Sequence, residues 1–142
     1  MSVRYVVDTG VPFLAVRREV DGGYFRPTNA VYLVNPLSVA LCNVKVSTGG
    51  HYSDVDLGVT TVEGKEKPSL DLAALSAAKI EMTSDDEFDE VNIWWTVCFE
   101  VDGITTTRDF ATSKRLENVQ SVDEVPVLGK PGKLIPQSIS NF

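Results

Sequence analysis

Residues that build reactive or metal-holding centres are scarce in this chain: 142 residues include one histidine and two cysteines. A tetrahedral zinc site draws on several His or Cys ligands, so His51, Cys42 and Cys98 are too few and too far apart to make one. Basic residues are also short, with 13 Lys and Arg against 20 Asp and Glu and a formal net charge of -7. Phosphate neutralisation needs clustered cations, which argues against nucleic acid as a partner, and the same deficit disfavours anionic lipid. No run approaches the ~20 apolar residues needed to span a bilayer. The first residues, MSVRYVVDTGVPF, lack a basic start followed by a sustained apolar stretch, so no signal peptide is expected and the cytoplasm is the default address. Neither a nucleophile elbow of the G-x-S-x-G type nor a phosphate-cradling glycine loop occurs, and no cofactor is expected.

What is present is β-structure. Residues 91–111 read VNIWWTVCFEV, then Asp102-Gly103, then ITTTRDFA. An Asp-Gly pair between two runs of β-formers is a strong hairpin signal, because both residues tolerate positive φ. Alternation places Val91, Ile93, Trp95, Val97, Phe99 and Val101 inward, and Asn92, Trp94, Thr96, Cys98 and Glu100 outward. A two-residue turn then sets Thr105, Thr107 and Asp109 on the face of Trp94. It also sets Arg108 inward opposite Val97, a position that calls for an acid partner, a shifted register or a reach to the rim.

Further strand candidates are RYVVD, FLAVRREV, AVYLV, VALCNVKVS, LGVTTVE and KIEMT. Pro12 just ahead of FLAVRREV suits an edge strand. Thr48-Gly49-Gly50 is read as the end of VALCNVKVS, leaving GGHYSDVDLG as a loop. Residues 69–78 (SLDLAALSAA) favour one or two helical turns or an extended connection. About seven or eight short strands with regular turn punctuation predict an all-β fold, an antiparallel two-sheet sandwich. In architecture alone this resembles immunoglobulin and fibronectin domains.

Within that frame the inward set of residues 39–46 is Ala40, Cys42, Val44 and Val46, whereas Cys98 faces out. A bridge between Cys42 and Cys98 is therefore awkward, and two reduced thiols are expected. Residues 1–117 are read as the sandwich domain. Residues 118–142 hold Pro126, Pro131 and Pro136 with Gly129 and Gly132, and read as an extended tail unfit for a central strand. Yet Val125, Val127, Leu128, Leu134, Ile135, Ile139 and Phe142 make it too apolar for an idle linker, so it is expected in a groove of its own domain or a neighbouring subunit.

For chemistry, His51 stands beside Ser53, Asp54 and Asp56, which offers a local nucleophile, base and acid for a small hydrolase. Triads are normally gathered from separate elements, and a polar surface loop is the simpler account. Asp85, Asp86, Glu87 and Asp89 could hold calcium weakly, although a solvated acidic turn guarding a strand edge explains them as well. The leading expectation is a non-enzymatic structural or accessory module acting by protein–protein contact or self-association. Its candidate surface comprises Trp94, Thr96, Thr105, Thr107, Val127, Leu128, Leu134, Ile135 and Phe142. A carbohydrate-binding or calcium-dependent adhesion module, resting on Trp94, Tyr52 and the acidic loop, is the alternative.

Overall fold

The computed structural model describes residues 2–20, 27–54, 58–66, 70–83, 92–113 and 119–141. Twelve strands run in order through them: β1 (Ser2–Val6), β2 (Phe13–Val20), β3 (Pro27–Asn35), β4 (Leu41–Asp54), β5 (Gly58–Glu66), β6 (Leu70–Leu72), β7 (Ser76–Thr83), β8 (Asn92–Val101), β9 (Ile104–Thr112), β10 (Gln120–Val122), β11 (Gly132–Ile135) and β12 (Gln137–Asn141). Among the described residues there is no helix, hence none long and apolar enough to cross a membrane. The strands form two antiparallel sheets packed as a sandwich. The first has the order β1-β12-β9-β8-β4-β5, with β6 also on β4, and the second the order β10-β11-β2-β3-β7.

The β8–β9 hairpin forms where the sequence puts it. Asp102 and Gly103 adopt φ of 51° and 79°, both left-handed, and Val101 pairs with Ile104 across a two-residue turn. Ile93, Trp95, Val97 and Phe99 are buried in strict alternation. Trp95 is fully buried, and its indole N–H donates to Glu81 Oε2 at 2.9 Å. Glu81 pairs with Val31 across β3–β7, and Val31 with Val16 across β2–β3. Cross-strand partners share a face, so this is the side on which the second sheet meets the first.

The opposite face of the second sheet buries an apolar centre as well. Phe13, Ala15, Ala30, Val34 and Leu134 lie on it, and all five are buried. Val125, itself fully buried, belongs to the cover: a Cβ on Gly132 would stand 2.9 Å from Val125 Cγ2 and 3.0 Å from the Arg17 stem. The only side chain that fits at position 132 is therefore a hydrogen. Beyond Val125, Arg17, Glu19, Tyr32 and Lys79 form a polar cluster on this face.

Several expectations are corrected. The segment expected to hold no central strand supplies, over residues 119–141, β10 and β11 to the second sheet and β12 to the first, and β11 and β12 are interior strands. The prolines are accommodated because Pro126 and Pro131 lie between β10 and β11, and Pro136 lies where the chain leaves one sheet for the other. Likewise β2 is interior between β11 and β3; buried Pro12 precedes its first residue and withholds no ladder hydrogen bond.

Residues 70–78 hold no helical turn. Strand β6 pairs with β4, and the buried Asn35 amide donates to the carbonyls of Leu72 and Ala73, which a helix would need. Leu75 then turns at φ 50° and Ser76 Oγ donates to Ala73 O at 2.6 Å. Cys42 is exposed rather than inward. Asn43 adopts φ 50°, and the register of β4 on β8 shifts between Cys42 and Lys45, so Leu41 and Val44 take the buried positions.

Candidate functional site

The first sheet leaves its outer face open, and the hairpin register assembles it row by row. Trp94 stands between Gly49 of β4 and Ala111 of β9; Thr96 between Ser47 and Asp109; Cys98 between Lys45 and Thr107. Glu100 and Thr105 complete the ladder toward the turn. Thr105, Thr107 and Asp109 are exposed, and Trp94, Thr96 and Cys98 are half-buried. Thr96 Oγ1 donates to Asp109 Oδ1 at 2.8 Å, and Asn43 Nδ2 donates to Glu100 Oε2 at 3.0 Å. These bonds hold short polar side chains in place across three strands. The Trp94 indole lies against Gly49, where an added Cβ would stand 2.5 Å from its Cζ2. A glycine beside this tryptophan is what lets the ring settle onto the sheet.

At the Trp94 end the face opens into a groove of about 250 Å³. It lies where Ala111 N–H donates to Pro136 O at 3.2 Å, beside the point at which the chain crosses from β11 to β12, and where β12 pairs with β9 at Gln137 and Phe110. Tyr5, more than half exposed, lines it together with Trp94. At the other end the hairpin tip presents Ile104, 69% exposed.

The sequence-expected surface residues thus separate into groups. Trp94, Thr96, Thr105 and Thr107 are brought together on one open face. Val127 is exposed and Leu128 half-buried in the turn between β10 and β11, apart from that row. Leu134 and Ile135 are buried in this chain's own core, because β11 packs them between neighbouring strands. Phe142 lies outside the described residues. Tyr5 was not singled out from sequence; the one signal that could find it is the β1–β12 pairing, invisible in either segment alone.

Arg108 keeps the inward register opposite Val97 and reaches Gln137 Oε1 of β12 with Nη1 at 3.2 Å, rather than an acid. Its buried Nε has no hydrogen-bond partner, nor has Thr112 Oγ1. His51, Tyr52, Ser53 and Asp54 do not form a loop: β4 continues through them, absorbing Gly49 in a register shift, with His51 opposite Thr61 on β5 and Asn92 on β8. Asp56, and the acidic candidates Asp85, Asp86, Glu87 and Asp89, lie outside the described residues. Both cysteines are free thiols.

The polar cluster on the second sheet gathers around Glu19, and Arg17 Nε also donates to Pro131 O at 2.7 Å. Glu19 accepts from Tyr32 Oη and from Arg17 Nη1 at 3.2 Å, and Lys79 Nζ lies 2.7 Å from Glu19 Oε1. Burial by itself would raise the Glu19 pKa, but hydrogen bonds from Lys79 and Tyr32, with the charges of Lys79 and Arg17, carry it below the ordinary value. Tyr32 is pushed up, first by burial and then by its bond to Glu19; Lys79 is pushed up by its bond to Glu19. A phenol held more firmly protonated and a lysine held more firmly charged are poor nucleophiles, so this cluster is a structural tie.

Fold and site together define an antiparallel β-sandwich with one sheet covered by its own chain and the other left open. No family model, curated protein or solved structure matches the chain.

Proposed function

We propose that the protein is a non-enzymatic structural or accessory module that works by protein–protein contact through the outer face of its first sheet. The asymmetry between the two outer faces carries this reading. One buries its apolar centre, with the chain's own Val125 packed at Gly132, whereas the other offers a row of exposed threonines beside Trp94. Flat surfaces of short polar side chains around an aromatic anchor suit a protein partner, and aromatic anchors commonly dominate such contacts. The two free thiols, Cys98 among the face residues, suit a reducing compartment and support a cytoplasmic address.

The test is native capture combined with solution mass, using wild type and the variants Thr96→Arg and Thr107→Arg. Arginine on this face adds bulk and charge without touching the core. The proposal expects loss of partner or of self-association with an unchanged melting temperature. Retention of the same partners and mass by both variants would refute it.

A second reading, carbohydrate binding, is favoured by one observation: two aromatic side chains, Tyr5 and Trp94, line a single groove at the end of this face.

A further inference from the structure

We propose that the free edge of β9 takes up an extended partner strand carrying a carboxylate, an inference that rests on the protein-contact reading and gives the partner its chemistry. Hydrogen bonding across an antiparallel pair alternates, and Val101 and Ile104 close the two-residue turn as a bonded pair. Ile104, Thr106, Arg108 and Phe110 therefore direct their backbone groups to β8, and Thr105, Thr107, Asp109 and Ala111 turn theirs away from it. On that far side Ala111 N–H donates to Pro136 O at 3.2 Å, and β12 pairs with β9 at Gln137 and Phe110 alone. Among the described residues no strand continues the ladder along Thr105 and Thr107, and both residues are exposed. Such a row of backbone donors and acceptors is a template for an added strand.

Arg108 selects the strand by charge complementarity. Its guanidinium leans across this edge, where Nη1 donates to Gln137 Oε1 of β12 at 3.2 Å. Nε is buried without a partner, and Nη2, equally unmatched, meets solvent. Among the described residues no carboxylate pairs with it, in a chain that carries 20 Asp and Glu. A strand added to β9 places its residue opposite Arg108 in a non-bonded pair, the kind in which Cα atoms come within ~4.5 Å and side chains meet most closely. A Glu or Asp there answers the guanidinium with a charge-assisted bond. An inward charge on an edge ordinarily bars pairing. A neutral or basic strand would leave Arg108 unmatched in the new contact, so the same residue admits an acidic strand and rejects others. On β7, an edge of the second sheet, the charged side chains are already matched, Lys79 by Glu19 and Glu81 by Trp95.

The experiment titrates the isotope-labelled full chain with the capped peptide Thr-Val-Thr-Glu-Thr-Val-Thr and its counterpart with Gln for Glu, followed by amide NMR and hydrogen exchange. Alternation sets the central residue and both valines of these peptides on one face. The proposal expects the Glu peptide to shift and protect the Thr105 and Thr107 amides, and the Gln peptide to bind about tenfold more weakly. Arg108→Gln should abolish that preference, and Arg108→Lys should restore part of it. Thr107→Pro should weaken the Glu peptide about tenfold, because it removes an edge N–H and leaves the bonds to β8 in place. Thr96→Arg, on β8, should bind the Glu peptide like wild type while losing partners held by the outer face, so the two readings fail separately. The proposal is overturned if neither peptide moves the Thr105 and Thr107 amides at about a millimolar, or if the two peptides bind alike. It is equally overturned if Arg108→Gln takes up both peptides more tightly than wild type, which would make Arg108 a guard of the edge.

Discussion

Val127 is the residue most at odds with its backbone. It adopts φ 74° in an exposed turn, held by Val125 N–H donating to Lys130 O at 2.7 Å and Gly129 N–H to Val125 O at 2.9 Å. A left-handed conformation costs an L-residue about 1–2 kcal/mol, and a β-branched side chain has little to recover at 41% exposure. Val127→Gly should therefore raise stability by about 0.5–1 kcal/mol after glycine's own entropy is counted. Chemical denaturation reads this directly, and a loss of stability would mean that the valine holds contacts that outweigh its strain. Glu19 makes a second prediction at this scale. Its folded pKa lies below the ordinary 4.5, so its contribution is present above that value and lost as pH falls through the lowered one. Lys79 is shifted upward, so its share is present below the ordinary 10.5 and lost as pH rises through the raised value. Stability differences between wild type and Glu19→Gln, worth no more than about 1 kcal/mol for so exposed a pair, should be largest near neutrality and shrink toward both extremes. A difference that grows in acid would contradict the assignment.

Elements were legible where one local rule decided them. The β8–β9 hairpin rests on Asp102-Gly103 and on period-two alternation, and both its turn and its register are as read, down to Arg108 opposite Val97. Elements decided by distant partners were not legible. Residues 70–78 have helical composition, yet Asn35, far away in sequence, takes the Leu72 and Ala73 carbonyls and binds Val39 O at 2.9 Å besides. Its own Oδ1 accepts from Leu37 N–H at 3.0 Å. A single buried amide thus fixes two connections, and Asn35→Ala should cost about 1–3 kcal/mol and loosen residues 73–75, visible as faster amide exchange at Leu75. Unchanged exchange there would show that β6 pairing alone sets the turn. The bulge at Asn43 is illegible for a similar reason: alternation assumes regular pairing, and one left-handed residue carries Cys42 from the expected interior to the surface. In the C-terminal segment, prolines that argued against strands fall between them.

Over the whole molecule, residues 119–141 complete both sheets. β10 and β11 extend the second sheet, and Val125 packs on its outer face at Gly132. Placing β12 between β1 and β9 brings Tyr5 of β1 to the groove at Trp94. The outward row of the hairpin was legible from alternation, whereas the openness of the face and the participation of Tyr5 depend on a long-range arrangement that local patterns do not encode. Trp94 and Trp95, adjacent in the chain, sit on opposite sides of that arrangement. Hydroxyl-radical footprinting of the native protein, alone and with its captured partner, therefore tests the account most directly. Oxidation should fall on Trp94 and spare Trp95 and Phe13 in the free protein, and the partner should protect Trp94 and the threonine strand beside it. Equal oxidation of the two tryptophans, or a partner that leaves Trp94 as reactive as before, would contradict it.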